Sequence, residues 1–453
     1  MDGTGSGGDL AGLKRALAGI ELIDDPQIVR LKSRDFFWYS PILKAELNKK
    51  SADLVAVPKD QDEALRVLGA CAQFRVPVVP RGGATGNYGQ LVPLHGGVML
   101  ATDRLDRTVS LKPGIGRFEA GVTLVELDRR ARPTGWELRM HPSTKRQSAL
   151  GGYVAGGAAG VGSAMHGQLR DWGAIPALKV ATCEPVPRVL ELRGREVAKA
   201  THAYGTTGAI LEVEIGLVPV WPWCDATVAF DDFMDAARFG QALGEADGIV
   251  KKQIAIVASS IPPMFKGLKD ECPPGKAMAF LMIAAGDRAP LEALAADHGG
   301  TLTSWRPTPD ETDPAQTPLY EYCWNHTTLQ CLKTDKGVTY LQTVFPIGRN
   351  LEVVEAMHAK YGDEVMLHLE FQRRFGRVNC SALQVVRWTT AERLYEIIRD
   401  HEAAGCVIPN PHTYVLEDKG PKVIAQDHQL DFKRAADPFG LLNPGKMRRW
   451  SKA

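Results

Sequence analysis

A glycine-rich stretch with the sequence VVPRGGATGNYGQ occupies residues 78–90, behind a short apolar run. Glycine tolerates positive φ and lets the backbone approach a ligand closely, and successive free N–H groups in such a loop bind anions. The spacing Gly83-x-x-Gly86-x-x-Gly89 is neither a kinase-type phosphate loop nor a dinucleotide fingerprint. Taken alone, the stretch indicates either a phosphate or pyrophosphate site or a cluster of tight turns.

A second glycine-rich segment, LGGYVAGGAAGVGSAMHG, lies at residues 150–167. On its own this segment also fits close helix packing through small residues. Two such segments flanking one strand-rich region favour a long, flat ligand that carries phosphate and lies in an extended groove.

The pattern around the first loop indicates which elements position it. It predicts a strand at residues 52–58, a helix at 60–74 and a strand at 76–80 that leads into the loop. Further along, Thr123 is the predicted N-cap of a helix that stops near Gly135.

Beyond about residue 225 glycine becomes sparse, and strand-like runs alternate with helical ones up to about residue 400. This alternation predicts an antiparallel sheet with helices packed on one face, so the expected fold class is α+β. The proline-containing run VPVWPW at residues 218–223 indicates a boundary. The predicted division of the chain is 1–222, 223–405 and a C-terminal segment, 406–453, that returns to the first domain.

Composition excludes several classes of protein. The chain of 453 residues is 44% hydrophobic and 24% charged, which is typical of a globular protein with more than one domain. Its net charge of +1 gives no field that attracts nucleic acid. Eight scattered cysteines without a C-x-x-C pair indicate a reduced compartment and argue against structural zinc or an iron–sulfur cluster. The start MDGTGSGGDL lacks signal-peptide features and no apolar run spans a bilayer, so we expect a cytoplasmic protein.

Four stretches resemble, in chain order, the FAD-binding domain of the vanillyl-alcohol oxidase/p-cresol methylhydroxylase (PCMH-type) superfamily: PRGGATGNYGQLVPLHGGVMLAT, HPSTKRQSALGGYVAGGAAGVGSAMHGQLRDW, YGTTGAILEVEIGLVP and DPFGLLNPGKM. The last is similar to the ending of D-lactate and glycolate dehydrogenases. The matches cover roughly the first 220 residues and the tail. This resemblance implies a PCMH-type two-subdomain FAD-binding domain, an α+β cap domain with an antiparallel sheet that binds the substrate, and FAD as the cofactor.

The same resemblance assigns flavin contacts to individual positions. Those for the pyrophosphate are Arg81, Gly82, Gly83, Ala84, Thr85, Gly86, Asn87 and Gly89. Those for the rest of the flavin are Pro142, Ser143, Ser148, Gly151, Gly152, Gly156, Gly208, Ile210 and Lys446. Relatives whose flavin is covalently bound through this loop have His where Thr85 stands, so we expect FAD to be held non-covalently.

A bound flavin accepts a hydride at its N5 atom, so the protein must position the substrate and take a proton from it. The stretch EYCWNHTTLQCLK places His326 among polar and aromatic neighbours. The stretch PNPHTYVLED places His412 and Tyr414 on one side of an extended segment. Each of these residues is a candidate catalytic group, and each is equally compatible with a structural role.

The stretch MLHLEFQRR alternates so that His368, Glu370 and Gln372 share one strand face. That polar face either lines a cavity, with His368 and Glu370 as catalytic candidates, or faces solvent. The metal-binding motifs of the D-lactate and glycolate relatives are absent, so no metal is predicted. Convergence of His368, Glu370 and His412 on a metal is left open.

The predicted function is that of an FAD-dependent oxidoreductase, an oxidase or dehydrogenase that takes a hydride from an alcohol-type carbon of a 2-hydroxy acid or related small alcohol. Arg373 or Arg374 is predicted to pair with a substrate carboxylate. One alternative is oxidation of a para-substituted phenol or aromatic alcohol, with the Tyr and Trp residues of 305–324 lining the pocket. Another is a nucleotide-binding protein without catalysis. The electron acceptor (oxygen, a quinone or a carrier protein) and a homo-oligomer are left open.

Overall fold

The chain folds around three β-sheets in the computed structural model, which describes residues 8–418 and 427–450. Residues 1–7, which belong to the stretch used to argue against a signal peptide, lie outside this part. The helices are α1 Leu10–Ala16, α2 Pro26–Lys32, α3 Pro41–Leu47, α4 Gln61–Phe74, α5 Leu124–Ala131, α6 Leu150–Gly156, α7 Ser163–His166, α8 Phe233–Glu245, α9 Arg288–Asp297, α10 Asn325–Thr334, α11 Asn350–Tyr361, α12 Ala391–Ala403 and α13 Asp427–Ala436. Within the described ranges, no helix is both long and apolar enough to cross a membrane.

The strands follow the same chain order. They are β1 Glu21–Ile23, β2 Leu54–Val57, β3 Val78–Arg81, β4 Val98–Ala101, β5 Thr108–Lys112, β6 Ile115–Glu119, β7 Trp136–Leu138, β8 Ala177–Ala181, β9 Val189–Arg193, β10 Ala209–Pro219, β11 Trp223–Phe230, β12 Lys251–Val257, β13 Ala277–Ala284, β14 Thr301–Pro307, β15 Val338–Val344, β16 Val365–Met366, β17 His368–Arg374 and β18 Arg377–Arg387.

The first sheet has four strands in the order β1-β2-β4-β3, with β2 and β3 both parallel to β4. Helix α4 connects β2 to β3, and the Asp60 side chain caps it by accepting the Glu63 N–H at 2.9 Å. The predicted strand–helix–strand unit is confirmed, with β4 lying between its two strands. Because β3 ends at Arg81, it leads directly into the glycine loop.

The second sheet has six strands, and its long strand β10 pairs with β6, β7 and β8. Helix α5 begins at the predicted cap, where Thr123 accepts the Glu126 N–H at 3.4 Å. The chain turns at Gly135, whose φ is +88°, as predicted. Helix α6 contains the first part of the second glycine segment, and its Leu150 and Val154 lie in the core of this sheet.

The third sheet has eight strands, in the order β14-β11-β13-β12-β17-β18-β15 with β16 paired to β18. All its strand pairs are antiparallel. Helices α8, α9, α11 and α12 pack on one face, where Phe239, Leu291, Val353 and Ile397 share one apolar core. The predicted antiparallel sheet with helices on one face is confirmed. The opposite face meets α10 and turns toward the first two sheets.

The chain returns to the first sheet after α13. Val78 donates its N–H to Leu441 O at 2.8 Å, and Asn443 donates its N–H to Val78 O at 2.9 Å. The Asp437 carboxylate accepts the N–H groups of Leu441 and Leu442, each at 2.8 Å. The Asp-Pro…Asn-Pro-Gly-Lys stretch is therefore a hydrogen-bonded segment that packs beside β3.

Candidate functional site

A long cleft separates the first two sheets from the third and encloses about 1890 Å³, space open to solvent included. The two glycine segments form one side, and β15, β17, β18 and the start of α10 form the other. Fifteen of the seventeen residues predicted to bind the flavin line this cleft: Arg81, Gly82, Gly83, Ala84, Thr85, Gly86, Asn87, Pro142, Ser143, Ser148, Gly151, Gly152, Gly156, Gly208 and Ile210. The structure thus brings together residues far apart in the chain, and their contacts with flavin stay predictions.

Gly83 lies where no side chain fits. A Cβ on this residue would be 1.9 Å from the carbonyl oxygen of Gln147. The next residue, Ala84, has a φ of +57°, a conformation that is rare for a residue with a side chain. The loop is therefore pressed against the residues just before the second glycine segment and is bent sharply at this point.

Gly152 and Gly156 have a different role, because they face the open cleft. Among the described residues, a Cβ on Gly152 would meet only Gly82 Cα, and one on Gly156 only Gln90 Nε2, each at 3.9 Å. A side chain at either position would extend into the cleft. Their arrangement fits a flat ligand that lies close against the backbone.

Three hydroxyl groups join the first glycine segment to the residues just before the second. Thr85 Oγ1 lies 2.8 Å from Ser148 Oγ, which in turn lies 2.7 Å from Thr144 Oγ1. Thr85 therefore hydrogen-bonds across the cleft floor.

Several buried polar atoms on the cleft wall have no hydrogen-bond partner among the described residues. They include Asn87 Nδ2, the Tyr204 hydroxyl and Trp324 Nε1. A buried polar group left unpaired costs about 1–3 kcal/mol. A dinucleotide has hydrogen-bonding groups of its own that can pair with these atoms. The residues present therefore fit FAD.

Lys446 does not line the cleft but holds the glycine loop from behind. Its Nζ donates to Gly89 O at 2.6 Å and lies 4.6 Å from the centre of the Tyr414 ring. Burial lowers the pKa of Lys446, and burial raises the pKa of nearby Asp35, while the two charges attract each other. Asp35 also accepts the Phe37 N–H at 3.0 Å. Lys446 therefore ties the C-terminal segment, the loop and an N-terminal segment together.

A polar row along β17 begins behind the other side of the cleft and ends in its lining. His368, Glu370 and Gln372 are at most 2% exposed, so the interpretation of this face as solvent-facing is wrong. His368 Nε2 lies 2.8 Å from Glu370 Oε1, which also accepts the N–H of Trp324 at 2.7 Å. Burial raises the pKa of Glu370. The row continues into the cleft with Gln372 and Arg374.

The hydrogen bond to Glu370 holds Trp324, the residue that immediately precedes α10. Trp324 is the N-cap of that helix and has a φ of +53°. Trp324 and the following Asn325 both line the cleft. The buried His368–Glu370 pair lies behind this wall and fixes its backbone; neither residue lines the cleft itself.

The remaining predicted site residues lie outside the cleft lining. His412 bonds through Nδ1 to Ser40 Oγ at 2.7 Å and through Nε2 to the carbonyl oxygen of Tyr340 at 2.8 Å. Tyr414 contacts Lys446, as described above. Burial lowers the pKa of His326, on α10, to about 4. Their catalytic roles stay predictions.

Arg373 also points away from the cleft, where it pairs with Asp247. The convergence of three metal-ligating side chains that the sequence left open does not occur in the described ranges. Across residues 8–418 and 427–450, no group of three or more His, Cys, Asp or Glu side chains could hold a metal ion.

Sequence reasoning missed several polar residues of the cleft. Two of them, Gln168 and Arg170, lie in the stretch GQLRDW at the end of the second glycine segment. Gln168 Nε2 donates to Gln372 Oε1 at 2.6 Å, and Arg374 donates to Gln168 Oε1 at 3.2 Å. A basic residue directly after a ligand-binding glycine segment is a local signal that could have identified Arg170.

Comparison with known proteins agrees with this geometry. Residues 52–181 match a family described as an FAD binding domain. Glycolate oxidase subunit GlcD of Escherichia coli (strain K12) is 29% identical over 213 residues, which are 44% of this chain and 41% of that protein. D-lactate dehydrogenase of Archaeoglobus fulgidus is 26% identical over 176 residues, 37% of this chain and 39% of that protein. The alignments thus span about two fifths of these relatives' lengths.

A solved structure of alkyldihydroxyacetonephosphate synthase has the same fold. It superposes with a TM-score of 0.73 over 97% of this chain and 85% of that one, at 13% sequence identity.

Residues 52–181, which contain both glycine segments, are therefore an FAD-binding domain, and the third sheet lies across the cleft from it. Over this region the chain is similar to FAD-linked oxidoreductases, and FAD is its cofactor.

Proposed function

We propose that this chain is an FAD-dependent oxidoreductase that oxidises a 2-hydroxy acid. The observation that carries the proposal is Arg374, a guanidinium on the cap side of the cleft that forms no ion pair with any described carboxylate and faces the flavin-binding glycines across the cleft. An arginine so placed suits a substrate carboxylate, which it can bind with two parallel hydrogen bonds.

The relatives support the same reaction class. Their names include glycolate oxidase, D-lactate dehydrogenase and a probable D-2-hydroxyglutarate dehydrogenase of Oryza sativa subsp. indica, and all three named substrates are 2-hydroxy acids. The phenol alternative has less support. Of the aromatic residues that it invoked, Trp324 lines the cleft, whereas Tyr320 and Tyr322 are buried in apolar clusters.

Each side of the cleft has its own part in the proposed reaction. Bound FAD supplies the hydride acceptor. The glycine segments hold it through backbone, and Thr85 and Asn87 contribute polar side chains. Arg374 binds and orients the substrate carboxylate, and Gln168 orients Arg374. Glu370 positions Trp324 and Asn325 at the entrance of α10 and so shapes the wall against which the substrate lies.

The test is anaerobic titration of the FAD-loaded protein with 2-hydroxy acids, polyols and phenols. We expect the visible flavin absorbance to bleach with at least one 2-hydroxy acid and to remain with the phenols. Arg374→Gln should abolish bleaching at substrate concentrations that saturate the natural sequence while leaving the FAD content unchanged. Bleaching by phenols alone, or failure of every hydroxy acid, would overturn the proposal.

The mode of FAD binding, the domain boundaries and the location are proposed with it. Thr85 supports non-covalent FAD, which acid precipitation should release into the supernatant; flavin retained on the precipitated protein would contradict this.

The third sheet begins at Trp223, which supports the division after residue 222, and the tail hydrogen bonds to Val78 support the return of the C-terminal segment. The eight cysteines are all buried free thiols, which supports a reducing, cytoplasmic environment.

A further inference from the structure

Two arginines meet in the cleft, one from each side. Arg170 follows the second glycine segment, and Arg374 ends β17 on the cap side, and both line the cleft. They are close enough that the charge of Arg170 is one cause, after burial, of the lowered pKa of Arg374, which is about 10. Arg170 itself is exposed along the cleft, whereas Arg374 is half-buried.

Neither guanidinium is neutralised by an ion pair within the described residues. Asp171 is the acidic residue whose charge acts on both arginines, but its carboxylate accepts the backbone N–H of Gln168 at 2.7 Å. The neighbouring Arg373, by contrast, forms an ion pair with Asp247 outside the cleft. Two like charges that lie close together repel each other, and an anion bound between them relieves this repulsion.

The position of Arg374 is fixed by a chain of side-chain amides. Arg374 donates to Gln168 Oε1, Gln168 donates to Gln372 Oε1, and Gln372 donates to Ser381 Oγ. One of the five N–H groups of Arg374 is used in this way, and the others remain for a ligand. For Arg170 no hydrogen bond to another described residue is found, so all of its donors are available.

We propose that Arg170 recognises a second anionic group on the substrate while Arg374 holds the first carboxylate, so that the preferred substrate is a 2-hydroxy acid with a further carboxylate or a phosphate. This inference rests on the proposed function. One carboxylate is satisfied by a single guanidinium, whereas a pair of unneutralised guanidinium groups matches a ligand with two negative charges. The glycine loop provides a separate place for the pyrophosphate of FAD, so the two arginines are left for the substrate.

The experiment compares substrates that differ in charge. The monoanions are glycolate and D-lactate, the dicarboxylates are malate and 2-hydroxyglutarate, and the phosphorylated acid is 3-phosphoglycerate. Each is tested by steady-state oxidation with an artificial electron acceptor. We expect KM to be at least about tenfold lower for a dianionic arm than for the monoanions, and the two dianionic arms distinguish a carboxylate from a phosphate.

Arg170→Gln separates the proposal from simpler explanations. It should raise KM for the preferred dianion by about 10–100-fold, change KM for the monoanions less than about threefold, and leave the FAD dissociation constant unchanged. Arg377→Gln is the matched control, since Arg377 is an exposed arginine opposite Arg374 in the β17–β18 hairpin and does not line the cleft. It should leave all of these values unchanged.

Three outcomes would overturn the inference. An equal loss for monoanions and dianions in Arg170→Gln would mean that both arginines hold one carboxylate. Weaker FAD binding in that variant would assign Arg170 to the cofactor. Absence of any charge preference in the natural sequence would contradict the inference directly.

Binding of unreactive acids keeps the inference separate from the proposed reaction. Glutarate and butyrate lack the hydroxyl group, and their binding to the FAD-loaded protein is measured by calorimetry. If no hydroxy acid is oxidised, tight glutarate binding that is lost in Arg170→Gln would refute the proposed function and retain the anion site. Equal, weak binding of glutarate and butyrate would refute the site.

Discussion

The two sides of the cleft present different parts of the polypeptide to a ligand. The cofactor side is mostly backbone: two glycine segments whose residues either cannot carry a side chain, like Gly83, or leave space for the ligand, like Gly152. The cap side is mostly side chains on a rigid antiparallel sheet, with Gln372 and Arg374 on one strand and Glu370 supporting the wall behind. Backbone binds what all members of a class share, here a cofactor, whereas side chains on the sheet can change with the substrate.

The largest expected effect tests the backbone side. Gly83→Val places a side chain against Gln147 O and should abolish FAD retention, with a large loss of thermal stability. Gly152→Val should also prevent FAD binding but leave the apoprotein Tm nearly unchanged, because its side chain extends only into the cleft. Gly248→Val is the control, since a Cβ there meets no described atom within 4 Å. Flavin content and Tm of the three variants check this; FAD retained by Gly83→Val would contradict the close packing of the loop.

The next effect tests the support behind the loop. Lys446→Met removes the donor to Gly89 O and leaves the buried Asp35 carboxylate without its cation. A hydrogen bond from a charged donor contributes about 1.5–3 kcal/mol, so we expect a loss of unfolding free energy of that order and at least about tenfold weaker FAD binding. The double variant Asp35→Asn/Lys446→Met should regain part of the stability in urea denaturation. No recovery would mean that the two charges do not act on each other.

A smaller effect concerns acid and the cap side. Because burial lowers the pKa of His326 to about 4, the unfolded chain, with a histidine pKa of about 6.5, takes up the proton first as pH falls. The stability contributed by neutral His326 is thus complete above about pH 6.5 and is lost progressively down to about pH 4. His326→Gln should reduce the acid-induced loss of unfolding free energy by about 1–3 kcal/mol. Urea denaturation at pH 7 and pH 4 measures it, and identical losses in both proteins would refute it.

The smallest effect concerns the Thr85 side chain, which joins the first glycine segment to the residues just before the second. Thr85→Ala removes the hydrogen bond to Ser148 Oγ and should lower the free energy of unfolding by about 1 kcal/mol. Thr85→Ser should keep the bond and behave like the natural sequence. The FAD dissociation constant and Tm of both variants decide this, and an equal change in both would assign the effect to the methyl group instead of the hydroxyl.

The same contrast explains what could be predicted from the sequence. The glycine segments and the helix cap at Thr123 are local signals, because the backbone conformation they require restricts the residue type within a few positions. The antiparallel sheet of the cap was predictable from its alternating pattern. The pairing of Arg170 with Arg374 was not, because it depends on how the cap sheet faces the second glycine segment across the cleft. Arg373 and Arg374 are neighbours that face opposite sides of β17. The sequence spacing alone could not tell which of the two lies in the cleft and which lies on the surface.

The contact between Lys446 Nζ and Gly89 O joins residues 357 positions apart in the chain. During synthesis, the residues of the glycine loop emerge long before the lysine that secures it, and N-terminal regions generally begin to fold first. The loop therefore waits for its last support until residue 446 has left the ribosome. Tight loading of FAD then requires a chain synthesised past residue 446, and a nascent chain that already contains both glycine segments is still an incomplete flavin receptor.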